Sequence, residues 1–120
     1  MNKKTLVLGA SLNTSRYSNL AIHKLVKHGV ETCAIGLKSG EVSGVKINTD
    51  MPPFEGVHTI TLYLNPKNQM AYYKYIVSLK PKRVVFNPGT ENPELYKILR
   101  ENKIHFESAC TLVLLSTDQY

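Results

Sequence analysis

The sequence has little cysteine and no long apolar segment. Its two cysteines, Cys33 and Cys110, lie far apart, and no Cys-x-x-Cys motif is present, so the pattern does not indicate a metal or redox motif. The first apolar run covers only Leu6 to Leu8 before Gly9, which is too short for a signal peptide. No run approaches the ~18 residues of a membrane span. We therefore expect a soluble, cytoplasmic protein with reduced thiols.

Acidic residues are fewer than basic ones. Nine Asp and Glu stand against 15 Lys and Arg, which gives a formal net charge of +6. Such an excess favours acidic partners: a phosphate-bearing ligand, nucleic acid or a membrane surface. The only basic clusters along the chain are Lys3-Lys4 and Lys80-Pro81-Lys82-Arg83. Because the remaining basic residues are scattered, nucleic-acid binding is the less favoured of these readings.

Groups with catalytic chemistry are sparse. The four histidines have no spacing typical of a metal site or a catalytic triad. We interpret Cys110 as a small buried apolar residue rather than a reactive thiol. Helix capping explains Glu91 and Glu94 better than paired acid–base chemistry does. We therefore expect a binding module with no catalytic residues and no metal.

Hydrophobic patterning predicts strands that alternate with helices. The composition, 42% hydrophobic and 20% charged, is that of a globular protein, and we expect one domain over residues 1–120. Five strands are predicted at residues 5–10, 30–35, 58–64, 83–86 and 103–106, with a further short run at 45–47. Strands that alternate with helices indicate a parallel sheet covered on both faces. The predicted fold class is α/β, a three-layer doubly wound, Rossmann-like, mainly parallel sheet of about five strands.

Asparagine followed by proline marks the start of two of the predicted helices. Asn65-Pro66 and Asn92-Pro93 each place a capping side chain before a proline in the first turn. The helix that begins at Pro66 is predicted to continue to Lys80. For the first helix, which follows the first strand, Ser15 or Ser18 is the predicted cap.

The fold predicts where a ligand binds. In a doubly wound sheet, ligands bind beyond the carboxyl ends of the strands, where the strand order reverses. Four segments should converge there: residues 9–18, 36–40, 64–67 and 87–90. The first of them joins a strand to a helix, so its backbone N–H groups and the helix N-terminus are suited to an anion.

The first loop does not match the dinucleotide fingerprint Gly-x-Gly-x-x-Gly. If Gly9 is the first glycine of the motif, Ser11 and Thr14 hold the other two places; Gly9 as the second glycine fits no better. The acidic residue expected about 20 residues later is also missing, and the second strand is followed by Gly36-Leu37-Lys38. Both departures disfavour NAD and favour a nucleotide with an extra phosphate on its ribose.

These residues resemble the CoA-binding domain family, small Rossmann-like proteins similar to the CoA-binding domain of succinyl-CoA synthetase. The resemblance rests on Gly9-Ala10-Ser11 with Arg16 and Ser18 after the first strand. Lys38 occupies the family's Asn-Pro-Lys-like turn, which here reads Gly-Leu-Lys, and Asn87-Pro88-Gly89 matches its strand-four turn. The similarity covers nearly the whole chain.

The resemblance implies that coenzyme A is the cofactor, free or as an acyl-CoA. It places the diphosphate over the first loop and the adenosine near the end of the second strand. The implied phosphate-loop residues are Gly9, Ala10, Ser11, Arg16 and Ser18. Lys38 is the implied contact to the ribose phosphate. Leu64, Asn65 and Pro66 would lie along the ligand, and Asn87, Pro88 and Gly89 near its thiol-bearing arm.

Two alternatives remain open from the residues. One is a small NAD(P)-dependent oxidoreductase or nucleotide-binding subunit, which would need a partner because 120 residues leave little room for a second substrate domain. The other is a nucleic-acid or protein-interaction domain that uses the net charge of +6. A homo-oligomer or a partner subunit is compatible with each reading.

Overall fold

The computed structural model describes residues 3–120, and a seven-stranded sheet runs through its centre. The strands are β1 (Thr5–Ala10), β2 (Thr32–Gly36), β3 (Gly40–Val42), β4 (Val45–Asn48), β5 (Thr59–Leu62), β6 (Arg83–Phe86) and β7 (His105–Ser108). Their order in the sheet is β3-β4-β2-β1-β5-β6-β7. All neighbours pair in parallel except β3 and β4. The predicted mainly parallel sheet is confirmed.

The sheet has two strands more than the five predicted, because a hairpin extends one edge. β3 and β4 pair antiparallel and are joined by Ser43 and Gly44, whose φ angles are 51° and 81°. A two-residue turn with positive φ at both positions suits the twist of a hairpin. Serine at the first position is a weak signal for such a turn, so the residue pattern alone indicated only the run at 45–47, although residues 40–45 resemble the family's short hairpin-like segment.

Helices cover both faces of the sheet, as predicted. They are α1 (Tyr17–Lys27), α2 (Pro66–Gln69), α3 (Tyr73–Ser78), α4 (Pro93–Glu101) and α5 (Thr111–Ser116). One core contains Leu6, Ile60 and Phe86 from the sheet with side chains of α3 and α4. The opposite core joins Val7 and Ile47 of the sheet to side chains of α1 and α5. All four residues of β5 are buried, because helices cover both of its faces.

The helix starts were predicted in part. Asn65 and Asn92 cap α2 and α4: their side chains accept hydrogen bonds from the N–H groups of Asn68 and Leu95. The prediction for α1 was wrong, because Arg16 is its N-cap residue and no side chain caps it. The helix predicted to run from Pro66 to Lys80 is interrupted by a 3-10 turn over residues 70–72.

The strand order reverses at β1, which positions the ligand site. After β1 the chain forms β2, β3 and β4 on one side of β1, with β2 next to β1. It then crosses to the other side, where β5, β6 and β7 follow in order. The loops after β1 and β5 therefore diverge and leave a crevice at the carboxyl end of the sheet. No helix among residues 3–120 is both long and apolar enough to cross a membrane.

Candidate functional site

A cleft of about 720 Å³ opens at the carboxyl ends of β1, β2 and β5, where the strand order reverses. Its volume lies in the usual range for small-molecule sites. Nine of the twelve predicted site residues line it: Gly9, Ala10, Ser11, Arg16, Ser18, Lys38, Leu64, Asn65 and Pro88. The other three, Pro66, Asn87 and Gly89, are not among its lining residues. All four predicted segments thus contribute to one cleft.

Side chains of the first loop hold its backbone in shape. The N–H of Asn13 donates to the Ser11 hydroxyl at 3.0 Å, and the Asn13 side chain accepts from the N–H of Ser15 at 2.9 Å. The buried Asn19 side chain reaches back from α1 and donates to the Ser11 carbonyl at 2.9 Å. The loop is therefore ordered by its own contacts, so ligand binding does not include the entropic cost of ordering it.

The N-terminus of α1 faces the cleft without a competing anion. Arg16, Tyr17 and Ser18 all line the cleft. No side chain caps the helix, and its first turn contains no acidic residue. Unpaired N–H groups and the positive end of the helix dipole attract a phosphate at such a terminus.

The charged side chains in the cleft are both positive. Arg16 and Lys38 are its only charged lining residues, and each is exposed and forms no ion pair with any residue from 3 to 120. The lining contains no Asp, Glu, His or Cys. The local field therefore favours an anionic ligand, and the cleft walls offer no acid–base or nucleophilic side chain of these four types.

Two glycines let the strands approach closely at the mouth of the cleft. Gly9 has a φ of 103°, and a Cβ there would lie 2.9 Å from the backbone carbon of Tyr63. A Cβ on Gly36 would lie 2.3 Å from the carbonyl oxygen of Ala10. Neither glycine can be replaced without moving backbone, so the packing of β1 against its neighbours explains Gly9 without any dinucleotide motif.

Sequence reasoning missed two tyrosines in the cleft, since both lie outside the predicted loops. Tyr63 follows β5, and burial raises the pKa of its phenol above the usual range, so the side chain is neutral. Its hydroxyl is buried near the side chains of Thr61 and Thr111. Tyr72 lies in the 3-10 turn. Neither of them is among the twelve predicted site residues.

Gln69 joins two walls of the cleft. Its side chain is fully buried and donates to the carbonyls of Leu64 and Thr90, both at 2.8 Å. Its own oxygen accepts from the side chain of Asn92 at 2.9 Å. The loop after β5 and the loop after β6 are therefore fixed relative to each other. Two of its three partners, Thr90 and Asn92, are 21 and 23 residues away, so the sequence shows no local pattern for this role.

Asn87 lies beneath the cleft rather than on its surface. The side chain is 2% exposed and donates to the Thr61 hydroxyl at 2.7 Å and to the Leu62 carbonyl at 2.8 Å. Its oxygen accepts from the N–H of Thr111 at 2.8 Å, at the start of α5. Asn87 thus joins β5, β6 and α5, and its predicted place near the ligand's thiol arm stays a prediction.

Possible metal ligands do not cluster among the described residues, and one of the two thiols is held in its protonated form. Within residues 3–120, no group of three His, Cys, Asp or Glu side chains lies close enough to hold a metal ion. Burial raises the pKa of the Cys33 thiol to about 11, so it stays protonated at neutral pH.

Comparisons with known proteins agree with this geometry. A family model described as a CoA binding domain matches residues 3–116. The solved structure of an uncharacterized protein is 54% identical, has a TM-score of 0.96 and covers 100% of this chain and 99% of its own. A conserved hypothetical protein from Pyrococcus furiosus is 26% identical, with a TM-score of 0.81 over 94% of this chain and 98% of its own.

A hypothetical protein from Pyrococcus horikoshii OT3 is similar in fold. It is 24% identical, with a TM-score of 0.87 over 97% of this chain and 83% of its own. No curated protein sequence gives a significant match.

Proposed function

The chain belongs to the CoA-binding domain family, and we propose that its cleft binds coenzyme A, free or as an acyl-CoA. The observation that carries the proposal is the ordered loop at residues 11–16, which leads into an uncapped helix beside Arg16. This arrangement supplies backbone N–H groups, a helix dipole and a guanidinium at one place, and a diphosphate is the group that uses all three.

The remaining residues of the cleft fit the other parts of coenzyme A. Lys38 is exposed after β2 and would meet the phosphate on the ribose. Leu64 and Asn65, in the loop after β5, would lie along the pantetheine arm, and Pro66 follows them at the start of α2. Pro88 lines the far end, beside Asn87 and Gly89. The absence of acidic side chains from the lining suits a ligand with several negative charges.

We propose binding without chemistry by the protein itself. The cleft lining has no His, Cys, Asp or Glu, so it lacks the usual general bases and thiol nucleophile. Tyr63 is neutral and its hydroxyl is buried away from the cleft surface. Any reaction of a bound acyl-CoA would then use groups from a second protein.

Calorimetric titration with three ligands tests the proposal. We expect coenzyme A to bind, dephospho-CoA to bind about 3–10-fold more weakly, and NAD to bind more weakly still, because Lys38 is exposed and its contribution to a phosphate is reduced by solvent. Lys38→Ala should lower affinity for coenzyme A by the same factor and leave dephospho-CoA unchanged.

The control for this titration is Lys97→Ala, which removes one positive charge from an exposed position on α4 outside the cleft. It should bind coenzyme A as the natural sequence does. If coenzyme A gives no heat of binding and does not raise the unfolding temperature, the proposed function is wrong. If Lys38→Ala weakens both ligands equally, the role assigned to Lys38 is wrong.

A further inference from the structure

Basic residues from distant parts of the sequence lie at the amino-terminal end of the strands, opposite the cleft. Lys4 precedes β1, Lys82 directly precedes β6, and Lys103 lies two residues before β7. Backbone bonds place the first two on either side of His58: the N–H of His58 donates to the Lys4 carbonyl, and the N–H of Lys82 to the His58 carbonyl, both at 2.9 Å. Parallel neighbours lie about 4.8 Å apart, so the amino ends of these strands form one row.

Part of this charge is neutralised inside the protein and part is free. The ammonium of Lys4 lies 3.6 Å from Glu31, and the guanidinium of Arg83 lies 3.7 Å from Glu107. Three further lysines at this edge are exposed and have no ion-pair partner among residues 3–120: Lys80, Lys82 and Lys103. We call these three residues the basic edge.

The backbone of the basic edge is unusual. Lys80 and Lys103 each follow the C-cap residue of a helix, α3 and α4, and have φ angles of 48° and 57°. The matching position after α1 is Gly29, with a φ of 73°. Glycine is the usual residue there because a Cβ strains this conformation. Two lysines thus occupy sites where glycine would fold more easily, and the helix dipole offsets only part of that strain.

The half-buried His58 lies close enough to several of these cations to respond to them. The pKa of His58 is lowered, first by burial and then by the positive charges of Arg83, Lys3 and Lys82. Together with His58, these residues come from three segments of the chain. The fold therefore brings the two basic clusters of the sequence to the same end of the sheet.

We propose that the basic edge binds the phosphate backbone of single-stranded nucleic acid without reading its sequence. Apolar anchors are typical of protein interfaces and of helices that enter membranes, and this edge lacks them. The exposed large apolar side chains of the described chain are Leu12, Tyr17, Leu20, Leu37, Met51, Met70 and Val113. None of them lies directly before the first residue of β1, β5, β6 or β7, or at that residue. Exposed lysines contact phosphates as point charges and do not read bases.

Lys80 and Lys103 have positive φ angles, so replacing them with glycine removes charge without destabilising the fold. Lys80→Gly with Lys103→Gly removes two of the three cations and relieves the strain at both φ angles. Its unfolding temperature should equal or exceed that of the natural sequence. The matched control, Lys46→Gln with Lys97→Gln, removes two exposed positive charges from β4 and α4.

Fluorescence anisotropy with a labelled, mixed-sequence, single-stranded 20-mer RNA measures the effect. With about three phosphate contacts, the logarithm of the binding constant should fall with the logarithm of salt concentration at a slope of about −2. The double glycine variant should bind at least ~10-fold more weakly at 50 mM salt, with a slope near −0.7. The double glutamine variant should keep the affinity and slope of the natural sequence to within about twofold.

Saturating coenzyme A should leave RNA binding unchanged, because the cleft lies at the other end of the strands. Equal losses in the two double variants would overturn the proposal, since they would show that only net charge matters. Competition by coenzyme A would place the RNA in the cleft and would also overturn it. No binding of RNA at 50 mM salt, or tighter binding to phosphatidylserine vesicles than to RNA, would do the same.

Discussion

Replacing Asn87 with alanine is expected to lower the free energy of unfolding by about 3 kcal/mol. The substitution leaves the carbonyl of Leu62 and the N–H of Thr111 without their partners in a buried place, and it opens a small cavity. Each unpaired buried group costs about 1–3 kcal/mol. Because domains of this size are stable by only about 5–15 kcal/mol, the loss is large. Urea unfolding followed by circular dichroism measures it.

The matched control is Asn102→Ala, which removes an exposed asparagine at the end of α4. We expect it to change the free energy of unfolding by no more than about 0.5 kcal/mol. If the two variants unfold at the same urea concentration, Asn87 does not join β5, β6 and α5 in the way described. Titration of the folded Asn87→Ala variant with coenzyme A separately tests the predicted contact of Asn87 with the ligand's thiol arm.

Arg16→Ala is expected to weaken coenzyme A binding by about 10–100-fold. A hydrogen bond between charged groups contributes about 1.5–3 kcal/mol. The Arg16 guanidinium forms no ion pair among the described residues, so it is free to contact a phosphate, and alanine removes that contact. Stability should hardly change, because the side chain is exposed. Isothermal titration calorimetry measures the affinity, and thermal unfolding without ligand verifies the fold.

Two variants make the Arg16 experiment specific. Arg16→Lys keeps the charge and loses the two-pronged contact, so its affinity should lie between those of alanine and arginine. Lys97→Ala removes the same charge far from the cleft and should have no effect. A loss of less than about twofold in Arg16→Ala would mean that the diphosphate does not lie over the first loop.

The fold could be predicted in outline because its signals are local. The short apolar run at 5–10 and the Asn-Pro starts at Asn65 and Asn92 each depend on neighbouring residues. The hairpin of β3 and β4 was indicated by the resemblance of residues 40–45 to the family's hairpin-like segment, but hardly by its own turn, which uses serine at a positive φ. The predicted cap of α1 was wrong although serine is a good capping residue. The N–H of Ser15 donates to the Asn13 side chain within the loop, and the helix begins after Arg16 without a side-chain cap.

The site could be predicted only to the level of its loops. Parallel strands bring their carboxyl ends together whatever their sequence, so Gly9 and Lys38 fall in one cleft by topology. Gln69 could not be found, because its partners lie in other segments. The same limit applies to charge. Lys103 lies far from the basic cluster at residues 80–83 in the sequence, yet the sheet places the strands that follow them, β7 and β6, side by side.

The most direct test of the central claim is a titration of ¹⁵N-labelled protein with coenzyme A, followed by two-dimensional NMR. We predict that the largest shift changes are at the amides of residues 9–13, 16–18 and 36–38, which line the cleft. The amides of Lys80, Lys82, Arg83 and residues 103–105, at the opposite end of the strands, should not move. The largest changes at those residues, or no change at saturating coenzyme A, would contradict it.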